Sequence, residues 1–307
     1  MKNKYRYFFL TLYSIGLIYI IFSLNNNSFA FNHDDYIKLI TTNTCQNCDL
    51  FRLDLTNKDL TASILDNAKL TDIDFTKTDL YFASLKKVAL NIANLSGANL
   101  TGANLSGANL TGANLFNANL SETDLSGANL SGANLTGAVL FNAILTGANL
   151  SNANLTRAIL SDADITRANI TNANLNKAIM RNTNLAGSIL IRSDLSGANL
   201  INANMFCVDL HYANLTGSSI HGADFTSSDL SRANFTNSDI TGTNLSSADL
   251  YFTDFSNANL TNVTMFRAAV SKAIFSNTIL TGATLANGKV FLIGVNDNPN
   301  IEYQEHK

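Results

Sequence analysis

The sequence predicts an all-β solenoid, a rod of very short extended segments stacked as parallel ladders around one continuous apolar core. Three observations carry this prediction. Every fifth residue from Leu50 to Leu285 is apolar, mostly Leu, at 48 positions with no insertion or deletion. Two residues before these anchors a small side chain recurs, Ala in 29 cases and Ser or Thr in 12, which is 41 of the 48 phrases. The chain contains one Pro, Pro299, which lies beyond the repeats; a ladder that uses each backbone N–H excludes Pro from its interior.

A period of five excludes the regular alternatives. On an α-helix, successive anchors would walk around the axis by about 140°. On a straight strand they would alternate between faces. The pattern works when the small residue and the anchor, two apart, point the same way in a short extended piece, and a turn then resets the facing.

The purest stretch, residues 93–115, reads ANLSGANLTGANLSGANLTGANL. The run Ala98, Asn99, Leu100, Thr101, Gly102 and its copies resemble the pentapeptide-repeat family, over residues 49–285 or so. The resemblance implies a right-handed, quadrilateral parallel β-helix with four phrases per coil. The period itself fixes the five and leaves the four open. Twenty residues per coil give about 12 coils and, at ~4.8 Å per coil, a rod of about 58 Å.

Taken in order, residues 1–30 read as a secretory signal: Lys2, Lys4 and Arg6 precede an apolar run over residues 8–24, and Ser28, Phe29 and Ala30 suit a peptidase cut before Phe31. The competing reading is an uncleaved anchor that spans the membrane through residues 8–24. Both place the repeats outside the cytoplasm: periplasmic, secreted or membrane-anchored. Residues 31–48 read as a cap, with Asp34 and Asp35 in the first turn of a helix and Tyr36, Ile37, Leu39 and Ile40 as its apolar side.

Cys45 and Cys48 fall on inward positions of the repeat register. Three chemistries compete there. A zinc site lacks further ligands at recognisable spacing, with only His33 nearby. A thioredoxin-like redox pair lacks its βαβ context. A disulfide, or a pair of packed thiols, would fasten the cap to the first coil of an exported protein. Cys207 falls on an outward position.

The first coils are irregular, with Leu53, Lys58, Ile73 and Val88 in small positions, so Lys58 is expected to turn inward or snorkel out at the rod's end. Further on, Asn94, Asn114, Asn134, Asn154 and Asn174 stack in one column under a twenty-residue coil, an expected amide ladder. Val139, Ile159 and Ile179 form an outward apolar column.

The later coils carry individuality. The second position after the anchor gives Arg192, Tyr212, Arg232, Phe252 and Lys272 in one column, beside His211, Tyr251 and the column Asp209, Asp229 and Asp249. One reading is a recognition strip for a protein or an envelope polymer. The other is a self-supporting ladder in which each cation stacks on a neighbouring ring and balances the Asp column. At the tail, Val290 and Val295 keep the anchor period, Gly288 and Lys289 read as a turn, residues 290–295 as a closing strand, and residues 286–307 as a closing segment that covers the last coil or forms a homodimer through the rod's end.

No catalytic constellation appears. His33, His211, His221 and His306 are dispersed, and no glycine-rich phosphate loop leads into a helix. The sequence predicts no enzyme, cofactor or metal site, and a scaffold at the cell envelope. Some cytoplasmic members of the resembled family mimic duplex DNA and act on DNA gyrase, which gives the alternative reading, a topoisomerase-binding DNA mimic. The export signal and a weak charge speak against it: losing Lys2, Lys4 and Arg6 takes the net charge only from −3 to −6, against one charge per ~1.7 Å of duplex. Nucleic acid is therefore not an expected partner.

Overall fold

Each five-residue phrase satisfies its own backbone donors, and this explains the consensus. The N–H of Leu100 donates to Asn119 O in the next coil at 2.7 Å, that of Gly102 to Ser121 O at 2.9 Å, and that of Asn104 to Ala83 O in the coil below at 2.9 Å. The Ala103 N–H closes the turn onto Leu100 O at 2.9 Å. The remaining donor, Thr101 N–H, reaches the side chain of Asn99 at 3.2 Å, and the Thr101 hydroxyl donates to the same oxygen at 2.7 Å. Asn or Asp before the anchor and Ser or Thr after it are thus an Asx-turn device. The second corner residue has positive φ, as the third residue of a type II turn requires, so Gly132 (φ +65) fits without strain.

The structure is a computed structural model that describes residues 31–290. Parallel bridges join each outward residue to the one twenty further on, unbroken from Thr44↔Ile64 to Thr264↔Thr284. Four phrases therefore close one coil of a right-handed quadrilateral β-helix. The expected signal or anchor in residues 1–30 lies outside the described residues.

Anchors and small residues fill the interior along the rod. Toward the upper end the filling becomes aromatic: Phe235 stacks on Phe255 (centroids 5.2 Å apart) and Phe255 on Phe275 (5.4 Å), with Phe225 edge-on to Phe235. Most buried hydroxyls find carbonyls, as Thr78 does with Leu55 O at 2.7 Å, while the Ser63 hydroxyl near the lower end is buried without a hydrogen-bond partner. The amide column forms in its lower part, where Asn114 Nδ2 donates to Asn94 Oδ1 at 3.2 Å and Asn134 Nδ2 to Asn114 Oδ1 at 3.0 Å. Higher up, Asn154 and Asn174 accept from the turn N–H groups of Thr156 and Asn176.

The lower end is closed by helix α1 (His33–Thr42). Asn32 caps it by accepting from the N–H groups of Asp34 and Asp35, and Asn43, with φ +53, ends it through a bond from its N–H to Leu39 O. The Asn32 N–H donates to Asp49 O at 2.9 Å and Asp35 Oδ2 accepts from Asp49 N–H at 2.8 Å, which ties the helix to one side of the first coil. The apolar side is narrower than expected. Leu39 is buried and Tyr36 half-buried, whereas Ile37 and Ile40 are exposed, because a helix resting on one coil covers only the stripe three residues apart.

Lys58 points outward, away from the core. It lines, with Tyr36, Ile40 and Leu60, an open groove of about 520 Å³ between α1 and the first coil. At the upper end Gly288 (φ +81) reverses the chain, Leu285 N–H donates to Lys289 O at 2.7 Å, and Val290 pairs antiparallel with Thr284. Val290 is exposed and is not an anchor, since the reversal ends the coil before the period can place it inward. The rest of the expected closing strand lies outside the described residues.

Candidate interaction edge

The twenty-residue coil brings Arg192, Tyr212, Arg232, Phe252 and Lys272 onto one corner of the rod. Each occupies the left-handed corner position, with φ of 56, 62, 60, 56 and 58° in that order. The side chains interleave. Arg192 Cζ lies 5.4 Å from the Tyr212 ring centroid, Arg232 Cζ lies 5.3 Å from the same ring and 5.4 Å from that of Phe252, and Lys272 Nζ lies 4.9 Å from Phe252. Arg232 Nη1 also donates to the Tyr212 hydroxyl at 2.8 Å. Edge-on neighbours flank the column, His211 against Tyr212 at 4.3 Å and Tyr251 against Phe252 at 4.5 Å.

The Asp column does not balance this charge. Asp209, Asp229 and Asp249 accept from the N–H groups of His211, Ser231 and Tyr251 at 3.0, 2.9 and 2.9 Å. Among the described residues no ion pair joins them to Arg192, Arg232 or Lys272. The reason is geometric, for an Asx carboxylate is held down on the face by its turn while the corner side chains rise away from it. A row of cations and a row of carboxylates thus run side by side along the rod.

One cluster escaped the sequence reading. His211 Nδ1 meets Ser231 Oγ at 2.6 Å, and Ser231 Oγ donates to Asp229 Oδ1. Twenty-residue stacking of position 211 on 231 was the signal that could have found it. The hydroxyl stands between ring and carboxylate, so its proton faces Asp229 and it accepts from the ring; a nucleophile, imidazole and carboxylate chain needs the ring in the middle.

At the lower end the Cys45 and Cys48 sulfurs are bonded to each other, 2.05 Å apart. Asp35 has an oxygen within 4.8 Å of both sulfurs, a set of donors in which the two sulfurs are already committed. Cys207 is exposed and free, at φ +54 on the corner opposite the cation row across the same face. Val139, Ile159 and Ile179 bridge in sequence as an outward column. Asp54 is held below its ordinary value of 3.8 by the Thr56 hydroxyl and N–H, with Lys58 adding a smaller pull, and Asp59 by the Thr61 N–H and hydroxyl. Among the described residues no helix is long and apolar enough to cross a membrane.

The family model for pentapeptide repeats matches the chain in 8 copies, over residues 45–90, 93–132, 133–172, 168–205, 203–242, 228–265 and 243–282. Among solved structures the chain is similar to HetL, a pentapeptide repeat protein involved in heterocyst differentiation regulation from the cyanobacterium Nostoc sp. strain PCC 7120. That match has 30% identity, covers 81% of this chain and 91% of HetL, and has a TM-score of 0.34. QnrB1, a plasmid-mediated fluoroquinolone resistance protein, matches at 18% identity over 76% of this chain and 90% of its own, with a TM-score of 0.28. A pentapeptide repeat protein of the Arabidopsis thaliana thylakoid lumen matches at 36% identity over 34% of this chain and 66% of its own, with a TM-score of 0.18. No curated protein matches. With its repeats matched along nearly the whole rod, the chain belongs to the pentapeptide-repeat family.

Proposed function

We propose that the chain is an exported, non-enzymatic rod that serves at the cell envelope as a structural or protein-interaction scaffold and offers the edge of residues 192–272 to a partner. One observation carries this reading. At the same corner the consensus coils hold Gly112, Gly132, Asn152 and Asn172, residues that tolerate positive φ, whereas five successive upper coils place Arg, Tyr, Arg, Phe and Lys there. Bulky residues hold left-handed corners elsewhere too, Arg52 and Ile92 in this column and Phe82 and Lys177 on others, and the run of alternating cation and ring is what sets these five apart. A left-handed corner costs a bulky residue about 1–2 kcal/mol. An exposed cation–aromatic contact returns only about 0.5–1 kcal/mol. The contacts within the column return less than the corners cost, and the unbroken alternation over five coils supports a role in contact with another molecule.

Export rests on the basic start, the apolar run and the small residues before Phe31, together with a disulfide of the kind that oxidising compartments permit. The row of cations weighs against the DNA-mimicking alternative.

Replacing Arg192, Tyr212, Arg232 and Phe252 together by Ser or Asn tests the edge, with partners captured from the native envelope fraction. Lost partners with unchanged melting support recognition. Lower melting with unchanged partners would reduce the column to a structural ladder.

A further inference from the structure

The partner of the edge follows from the face beside it. Two columns run along that side of the rod. One lies mid-face at Asp49, Lys69, Ala89 and every twentieth residue up to Asp229 and Asp249. The other lies on the corner three residues on, from Arg52, Asp72 and Ile92 up to Arg232 and Lys272.

In three coils the two columns carry opposite charges, and in sum the mid-face column is acidic and the corner column basic. Asp49 goes with Arg52, Lys69 with Asp72 and Asp229 with Arg232. Ala89 and Ile92 are both apolar, amides or glycine fill the consensus coils, and in the remaining upper coils Ile189 goes with Arg192, Asp209 with Tyr212, Asp249 with Phe252 and Ala269 with Lys272. The sign inverts between the first two coils, and it does so in both columns at once. Two ion pairs run along the columns, Lys69 to Asp49 at 3.6 Å and Arg52 to Asp72 at 2.6 Å.

We propose that this face binds the same face of a second copy of the chain, in a side-by-side dimer whose two-fold axis runs parallel to the rods. Such an axis, placed between the columns, lays the mid-face column of each copy on the corner column of the other at equal height. Asp229 then meets Arg232 of the second copy, and Asp49 meets Arg52. Arg192 and Lys272 stand one coil, ~4.8 Å, from the heights of Asp209 and Asp249, within reach of their long side chains. The Tyr212 hydroxyl accepts from Arg232 and keeps its own proton for the opposed Asp209. A two-fold axis across the rods would lay each column on itself, cation on cation, so charge selects the parallel arrangement.

The size is adequate. A contact ~58 Å long and about 10 Å wide buries roughly 600 Å² on each copy, a total just above the ~1,000 Å² that specific interfaces need. Parallel rods also bring both N-termini to one end, as two chains led from the same membrane would require. The inference rests on the scaffold reading, of which it names the partner.

The test is the mass of the mature chain in solution. Twice the monomer mass in about 10 mM salt and the monomer mass in about 1 M salt are expected, as screening shortens from ~30 Å to ~3 Å. Asp229→Arg and Arg232→Glu should each give monomer at low salt, and the double variant carrying both should dimerise again. That recovery separates lost complementarity from lost folding. A spin label on Asn57→Cys in a Cys207→Ser chain should report a distance below about 40 Å, against ~58 Å or more for antiparallel rods. A monomer at all salt concentrations, a double variant that stays monomeric, or the longer distance would overturn the proposal. Loss of envelope partners on substituting the edge, from a chain that is monomeric throughout, would overturn this dimer while supporting the scaffold.

Discussion

Arg232 is shared between two rings: its Cζ stands 5.3 Å from the centroid of Tyr212 below and 5.4 Å from that of Phe252 above, and its Nη1 donates to the Tyr212 hydroxyl at 2.8 Å. A double-mutant cycle of Arg232→Ala and Phe252→Ala should give a coupling of about 0.5–1 kcal/mol, read from urea midpoints. Tyr212→Phe should keep the stacking and lose only the hydrogen bond. Zero coupling would mean that the interleaving is not held in solution.

The Cys45–Cys48 bond closes a very short loop. Chain entropy predicts a loss of about 2 kcal/mol when both are changed to Ser. Because each coil rests only on its neighbours, the loss should appear as faster hydrogen exchange in α1 and the first coils, with residues 93–155 unchanged. A uniform change along the rod would contradict this.

Corner positions predict opposite signs for opposite substitutions. Gly132 has φ +65 and open space where a methyl group would stand, so Gly132→Ala should destabilise by about 1 kcal/mol for conformational reasons alone. Ala62, at φ +53, should gain about 0.5 kcal/mol on change to Gly, since relief of the corner outweighs the added chain entropy. Thermal midpoints would check both.

Asp54 and Asp59 contribute to stability through depressed carboxyls at the open side of the first coil. A group whose folded value lies below its unfolded one stabilises fully above the unfolded value, and the contribution fades as pH falls through the folded one. Between pH 5 and the acid side of 3.8, Asp54→Asn with Asp59→Asn should therefore flatten the loss of stability seen in the unchanged chain. Identical acid profiles would place the acid sensitivity elsewhere.

The rod was legible in the sequence because its core is written as one repeated spacing, Leu50 to Leu285, with Ala or Ser two residues before each anchor. Four sides per coil were not legible from a period of five and came with the family resemblance; the bridges from Thr44↔Ile64 upward show them directly. The register also aligned Arg192, Tyr212, Arg232, Phe252 and Lys272 in advance. It could not tell that Asp209, Asp229 and Asp249 would turn to backbone N–H groups and leave the guanidiniums alone, since both partners lie within reach in sequence terms. Ser231 between His211 and Asp229 was hidden for a related reason: hydroxyl direction is set by three-dimensional neighbours twenty residues away.

Twenty residues per coil and five per side make the rod behave as an indexed shaft. Deleting four phrases from the consensus below Leu190 would lower the cation row by ~4.8 Å and leave it on the same side. Deleting a single phrase would instead turn everything above it by a quarter revolution, carrying Arg192 and Arg232 to a different side from Arg52 and Asp72. Repeat number in such a chain is thus a rotational setting as well as a length, and copies that differ by one phrase would present the same residues in another direction.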